Sequence, residues 1–166
     1  GAVMQPRVVV SGFVSSTAPM DPGGFLVLQA FDLDTGLLDW DETFLSSGKA
    51  IPRAISSDGD GEIILAGAYE QELDFGQGPL PTVVGADTDI FLAKFQPNGT
   101  SVWSRAFQGP GLDVPGDLAV DEADDNSSIW MVGGFSNSID FGGDQLMAEQ
   151  DDAFVVKFDG DGGHIW

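Results

Sequence analysis

Residues 89–103 read DIFLAKFQPNGTSVW, and this stretch decides the fold because the chain repeats it. A similar stretch, DAFVVKFDGDGGHIW, occupies residues 152–166, and a looser version, FLVLQAFDLDTGLLDW, occupies residues 25–40. All three end in a tryptophan, and the tryptophans are 63 residues apart: Trp40, Trp103 and Trp166. The regular spacing predicts one structural unit that is copied almost three times.

Within residues 89–103 the side chains alternate as they do in a β-strand. Phe91, Ala93 and Phe95 fall on one face, and the residues between them fall on the other. Asn98-Gly99 then gives a strong signal for a two-residue hairpin turn, in which both central residues can adopt positive φ. A second strand, which carries the tryptophan, follows the turn. The stretch therefore predicts an antiparallel β-hairpin.

Two further strands precede the hairpin. One is rich in β-branched and small residues, and it reads RVVVSGFVS at 7–15, EIILAGAY at 62–69 and SIWMVGGF at 128–135. The other stands before it in the second and third copies, as AIPRAISSD at 50–58 and VPGDLAVD at 114–121. The first copy lacks this strand, and the third copy stops within its last strand. The complete unit is therefore predicted to have four strands.

Four consecutive antiparallel strands that recur at a fixed interval are typical of β-propeller blades, whose sheets pack face to face around an axis. The sequence thus predicts an all-β protein with an incomplete ring of about 2.5–3 blades. We expect residues 1–49 to form a partial first blade, 50–113 a second blade, and 114–166 a third blade truncated in its last strand. Such an arc cannot close by itself, so either further blades of a longer propeller complete it, or several copies form a ring or stack as a fibre.

The loop between the second and third strands of a unit also carries a repeated element. It reads LDFG at 73–76 and IDFG at 139–142. We expect its phenylalanine to pack beneath the loop and its aspartate to accept hydrogen bonds from loop amides.

These motifs together resemble a known family. The run LDFGQGPLPTVVGADTDIFLAKFQPNGTSVWSRAF at 73–107, followed by DLAVD and IWMVGGF, resembles the bacterial β-propeller repeats of the SBBP type. Those repeats occur in tandem in large secreted or cell-surface proteins. The resemblance covers most of 50–166 and, weakly, 7–49. It implies a propeller fold and an extracellular or cell-surface location, but no shared active site.

The first copy departs from this pattern because it lacks the DFG element. Its residues Asp32, Thr35, Gly36 and Trp40 read D-x-x-T-G-x-x-x-W, which is similar to the repeat of quinone-dependent dehydrogenase propellers. In those proteins the tryptophan staples adjacent blades together. The resemblance therefore implies a structural role for this motif.

The charge of the chain limits its partners. Twenty-seven acidic residues against six basic ones give a net charge of −21. Nucleic acid and anionic membrane surfaces are therefore poor partners, because binding to them depends on lysine and arginine. Three explanations of the acidity compete: solubility or salt adaptation, divalent cation binding, and a docking surface for a basic partner.

The absence of cysteine and of long apolar runs excludes further kinds of site. The chain has no cysteine, so it has no disulfide, no thiol nucleophile and no thiolate metal site. No apolar run approaches 18 residues, and the first residues do not read as a signal peptide, so no membrane insertion is expected.

Acidic turns are the strongest chemical signal. Alternating carboxylates over glycine suit calcium, which takes six to eight oxygen ligands. Ordinary turn chemistry is the alternative, because aspartate and glycine favour turns for backbone reasons. Calcium is the one cofactor that the sequence suggests, and its candidate ligands are Asp58, Asp60, Glu62, Asp121, Asp124, Asp125, Asp159 and Asp161.

Propeller topology would place the acidic turns on one face of the disc and the long apolar loops on the other. Such loops provide a candidate surface for a protein or glycan partner, although they could also simply cover blade edges. The candidate contact residues are Leu80, Val83, Val84, Leu146 and Met147. Lys94 and Lys157 fall at matching strand ends, where we expect them to lie near solvent.

No catalytic residue is predicted. His164 is the one histidine, and no nucleophile motif of the G-x-S-x-G kind occurs. The leading hypothesis is a non-catalytic extracellular or cell-surface propeller module with a structural or interaction role. One alternative is a calcium-dependent adhesion or lectin-like module. The other is a fragment of a propeller enzyme, a hydrolase or a quinone-linked oxidoreductase, whose catalytic residues lie outside this chain.

Overall fold

A computed structural model describes residues 7–15, 23–82, 88–121 and 127–166 of the chain. These residues form ten β-strands and no helix, which confirms the predicted all-β class. The strands are β1 (Arg7–Ser15), β2 (Gly24–Asp32), β3 (Leu38–Ser46), β4 (Ala50–Ser57), β5 (Ile63–Tyr69), β6 (Asp89–Phe95), β7 (Ser101–Phe107), β8 (Val114–Asp121), β9 (Ser128–Ile139) and β10 (Leu146–Phe158).

The strands form three antiparallel sheets, and in each sheet neighbours in sequence are neighbours in space. The first sheet is β1-β2-β3, the second is β4-β5-β6-β7, and the third is β8-β9-β10. An isolated bridge between Phe158 and His164 lies beside β10, where a fourth strand of the third sheet would pair. Over the described residues, the three sheets do not close into a ring.

The second sheet is the centre of the core because both of its faces are covered. Every residue of β5 and β6 is buried. Phe91 and Phe95 pack with residues of the first sheet, whereas Ile90 and Leu92 pack with residues of the third. The predicted alternation thus divides the strand between two hydrophobic clusters. Burial of each large apolar side chain contributes about 1.5–3 kcal/mol.

The hairpin between β6 and β7 forms, but its turn differs from the predicted two-residue type. Of the pair Asn98-Gly99, only Gly99 has positive φ, at 86°. The Gly99 amide donates to the Gln96 carbonyl at 2.9 Å, and the Gln96 amide donates to the Thr100 carbonyl at 2.8 Å. This is the longer kind of hairpin loop, in which one left-handed glycine rejoins the strand.

Candidate functional site

The sheets meet through two sets of contacts. We call the contact between the first and second sheets the first joint, formed by Trp40, Phe44, Phe75, Phe95 and Gly99. The contact between the second and third sheets is the second joint, formed by Trp103, Phe107, Phe141, Phe158 and Gly162.

Phe75 of the LDFG element is the wedge of the first joint. Its ring centroid lies 5.0 Å from that of Phe44 in the first sheet. It lies 5.3 Å from that of Phe91 and 5.6 Å from that of Phe95 in the second sheet. Phe75 therefore packs beneath its loop, as the sequence predicted, and it also connects two sheets.

Phe141 of the IDFG element makes the same contacts in the second joint. Its ring lies 5.1 Å from Phe107 of the second sheet. In the third sheet it lies 4.7 Å from Phe154 and 6.3 Å from Phe158. With Phe91 and Phe154 included, each joint contains four phenylalanines, and these correspond one to one in sequence and in their contacts with the DFG phenylalanine.

The aspartate of the element holds its loop. Asp74 Oδ1 accepts hydrogen bonds from the amides of Gly76 at 2.7 Å, Gly78 at 3.0 Å and Gln77 at 3.1 Å. Asp140 Oδ1 accepts one from Gly142 at 2.7 Å. These bonds agree with the prediction that both carboxylates bind loop amides.

Each of the first two tryptophans covers a turn glycine of the next sheet. A Cβ atom on Gly99 would lie 2.9 Å from the Trp40 ring, and one on Gly162 would lie 3.0 Å from the Trp103 ring. Trp166 differs, because 54% of its surface is exposed and its ring contacts that of Trp130 at 5.2 Å.

The two joints differ in one polar contact. Trp40 Nε1 donates to the Pro97 carbonyl at 3.0 Å. The corresponding carbonyl in the second joint, that of Gly160, accepts instead from Lys94 Nζ at 3.3 Å. Trp103 Nε1 is buried and has no hydrogen-bond partner within the described part of the chain. In the second joint Lys94 therefore donates to the carbonyl that corresponds to the acceptor of Trp40 in the first joint.

A solvent-open groove of about 490 Å³ lies at each joint, between a phenylalanine-bearing strand, the DFG loop and the next turn. The groove at the first joint is lined in part by Glu42, Asp74, Gln77 and Ser101. The groove at the second joint is lined in part by Arg105, Gln108, Asp140 and His164. The two grooves therefore share a framework and differ in charge.

The prediction that Lys94 lies near solvent is wrong. Only 8% of Lys94 is exposed, and its Nζ lies 2.6 Å from Glu62 Oε2 and 3.4 Å from Asp58 Oδ2. Burial lowers the pKa of Lys94, but the hydrogen bonds and charges of Glu62 and Asp58 outweigh burial and raise the pKa overall. Lys157, at the matching position, is half-buried, and its Nζ lies 5.0 Å from the centroid of the Trp130 ring.

The candidate calcium ligands lie in turns that their own carboxylates organise. Asp58 Oδ1 accepts from the amides of Glu62 at 2.9 Å and Asp60 at 3.2 Å. Asp159 Oδ1 accepts from those of Gly163 at 2.7 Å and Asp161 at 3.0 Å. These are the bonds expected of ordinary acidic turns.

The remaining candidate ligands are dispersed. Asp121 is exposed at the end of β8, and Asp124 and Asp125 lie outside the described residues. Among the residues that are described, no three acidic or histidine side chains come close enough to share an ion. Calcium binding at these turns stays a prediction from the sequence.

The predicted contact surface is only partly exposed. Leu80 is 7% exposed and belongs to the hydrophobic cluster of the first joint, so its side chain is not part of the expected surface. Leu146 and Met147 are exposed. Val83 and Val84 lie outside the described residues.

Sequence reasoning missed a pair of buried acids. Asp89 is 3% exposed and Asp113 is 0% exposed. Burial raises the pKa of Asp113 to about 7, with the Ser136 amide opposing the shift and the negative charge of Asp89 adding to it. A signal was present in the sequence: Asp113 stands where the preceding unit has Ala50, a position that the strand pattern places inside.

No described segment forms a helix long and apolar enough to cross a membrane. No protein-family model matches the chain, and no curated protein matches it either.

Proposed function

We propose that this chain is a non-catalytic β-propeller repeat module of the SBBP type, outside the cell or at the cell surface, with a structural or interaction role. The observation that carries the proposal is that both joints have the same construction. In each, a DFG phenylalanine wedges between two sheets, and a tryptophan covers the turn glycine of the next sheet.

A repeated joint supports a blade array because identical contacts impose the same relation between successive sheets. Blades then follow one another until the array meets a cap or closes. A single domain with one packed core is not expected to contain the same arrangement of four phenylalanines twice.

The two outer faces are the side of the first sheet that points away from the second sheet and the side of the third sheet that does the same. They carry the tryptophan and the turn glycine of a further joint, without the DFG phenylalanine that the first copy lacks. Trp166 is exposed, and a Cβ atom on Gly36, the turn glycine of the first sheet, would have no neighbour within 4 Å among the described residues. Trp166 and Gly36 thus correspond to the tryptophan and the glycine that meet in the first and second joints. We therefore expect the third sheet of one copy to receive the first sheet of another.

Exposed apolar side chains on both outer faces support this arrangement, because clusters of such side chains are typical of interaction surfaces. Val10 and its neighbours on β1 and β2 are exposed on the first sheet, and Val155 and Val132 are exposed on the third. The module then acts through sheet-to-sheet association, either head to tail between copies or with further blades.

The test is the size of the purified chain in solution, measured by multi-angle light scattering across a range of concentrations. We expect concentration-dependent association that Trp166→Ala weakens by at least about tenfold, because burial of one tryptophan at an interface is worth more than 1.4 kcal/mol. Val102→Ala, a change at an exposed valine of the second sheet, serves as the control.

Two blocking variants sharpen the test. Val10→Asp removes one half of the proposed contact and Val155→Asp removes the other, so each variant alone should stay monomeric. A mixture of the two should form one-to-one heterodimers, because each variant keeps the half that the other lacks. A wild-type chain that stays monomeric at every concentration, or association that both substitutions leave unchanged, would contradict association between copies through these faces.

A further inference from the structure

We propose that Asp89 and Asp113 form a calcium site between the second and third sheets. This site is distinct from the acidic turns and goes beyond the proposed assembly role. It is internal to the chain, so it does not depend on whether the outer faces associate.

The backbone brings the two acids together. Thr88 and Leu112 form a parallel bridge, and the Asp113 amide donates to the Thr88 carbonyl at 3.0 Å. Asp89 is the next residue after Thr88, and its Oδ1 accepts from the Gly109 amide at 3.4 Å. The loop from β7 to β8 therefore places the Asp113 carboxyl beside the start of β6.

Asp113 has little compensation for its burial in the part of the chain that the structure describes. The Ser136 amide lowers its pKa, but that amide donates its hydrogen bond to the Leu112 carbonyl at 3.1 Å. Its side chain is fully buried, and neither carboxylate oxygen has a hydrogen-bond partner there. An uncompensated buried carboxylate is among the costliest features that a folded chain can carry.

No lysine or arginine neutralises Asp113. All six lysines and arginines of the chain lie within the described ranges. Lys49 pairs with Glu70, Lys94 pairs with Glu62, and Arg7 pairs with Asp39. The other three lie elsewhere: Arg53 is exposed on β4, Arg105 donates to the Asp161 carbonyl, and Lys157 lies over Trp130.

The second sheet shows that the fold does not need an acid at the position of Asp113. Ala50 precedes Ile51-Pro52 there, as Asp113 precedes Val114-Pro115, and both strands have a register shift after the proline. Ala50 is also fully buried. An alanine is therefore sufficient for packing at this position. Packing alone does not explain why Asp113 is an aspartate.

The available donor atoms suit calcium. Two carboxylates supply up to four oxygens, and the Ser138 carbonyl oxygen and Asp113 Oδ2 both lie next to the position that a Cβ atom on Gly109 would take. A Cβ atom on Gly109 would lie 2.5 Å from Asp113 Oδ2, so only glycine lets the loop from β7 to β8 pack this closely against the carboxylate. Calcium accepts irregular sets of carboxylate and carbonyl oxygens, whereas magnesium demands near-ideal octahedral geometry.

The experiment compares the melting temperature of the intact chain in calcium chloride, in magnesium chloride and in chelator, at constant ionic strength. We expect saturating calcium to raise the melting temperature by at least about 5 °C over chelator, with a smaller effect of magnesium. Asp113→Ala, which copies Ala50 of the second sheet, should melt in chelator at or above the wild-type temperature and should not respond to calcium. Asp60→Asn, in an exposed acidic turn, should respond as the wild type does.

Calorimetric titration of the wild-type chain should give one calcium ion per chain, and this measurement does not depend on the folding of any variant. Two results would overturn the site. One is a wild-type chain that neither binds calcium nor gains stability from it, in which case a proton holds the buried pair. The other is a calcium response that Asp113→Ala retains in full, which would assign the ion to the acidic turns.

Discussion

At the scale of single residues, the turn glycines reveal how neighbouring sheets depend on one another. Gly36, Gly99 and Gly162 all have positive φ, at 68°, 86° and 77°, so each turn favours glycine for backbone reasons. Gly99 and Gly162 have a second reason, because a tryptophan from the preceding sheet lies over each of them. The same sequence motif thus has one role within a turn and another between sheets.

This difference can be measured with matched alanine variants. Gly36→Ala should cost about 1–2 kcal/mol, which is the price of a left-handed alanine alone. Gly99→Ala should cost roughly 1–3 kcal/mol more, because the added Cβ meets the Trp40 ring. Urea unfolding of both variants measures the gap.

The double variant Trp40→Ala/Gly99→Ala provides the control. Removing the ring leaves only the overlap with Glu42 Cγ, at 2.9 Å, which this flexible side chain can relieve by moving. The cost of the glycine substitution should therefore fall toward that of Gly36→Ala. Equal costs for Gly36→Ala and Gly99→Ala in the presence of Trp40 would argue against the contact.

The surroundings of single residues were the hardest feature to predict from the sequence. The strand pattern put Lys94 at a strand end, which usually means solvent, but its carboxylate partners come from a turn about 30 residues earlier. The burial of Asp113 depends in the same way on a loop that brings it to Thr88. Local periodicity does not encode such contacts.

At the scale of elements, the DFG loop does more than cover an edge. Its aspartate fixes the loop backbone, and its phenylalanine fills the space between two sheets. The element therefore transmits the position of one sheet to the next. Repetition of the element predicts that its two copies contribute similar amounts to stability.

Phe75→Ala and Phe141→Ala should each lower the free energy of unfolding by about 3–5 kcal/mol, because each leaves a cavity among three other phenylalanines. Chemical unfolding of the two variants checks the similarity, with Met147→Ala as an exposed control expected within about 0.5 kcal/mol of the wild type. If either variant fails to fold, Phe→Leu at the same position gives a milder comparison. A large loss at one position and none at the other would mean that the two joints are not equivalent.

Elements were also the level at which the sequence was most informative. Alternation within residues 89–95 and the spacing of the tryptophans located the strands of the second sheet, because both follow from backbone geometry that every copy shares. The turn at Asn98-Gly99 was predicted in place but not in type. Its type depends on the register shift between Lys94 and Phe95, which side-chain patterns do not reveal.

At the scale of the whole molecule, apolar attraction between sheets competes with charge repulsion. The net charge of −21 is spread over a chain of 166 residues, and it opposes both compaction and the approach of a second copy. Burial of the apolar outer faces favours the approach of a second copy. Ionic strength should therefore control both stability and association.

Raising sodium chloride from about 0.01 M to about 1 M shortens the screening distance from roughly 30 Å to roughly 3 Å. We expect the melting temperature to rise and the association measured by light scattering to strengthen, because repulsion among carboxylates weakens while apolar contacts do not. Tetramethylammonium chloride should give a similar increase if screening is the cause, since that cation does not enter a carboxylate site. A melting temperature that falls with salt would show that the ion pairs of Lys94 and the other basic residues contribute more to stability than the net charge subtracts.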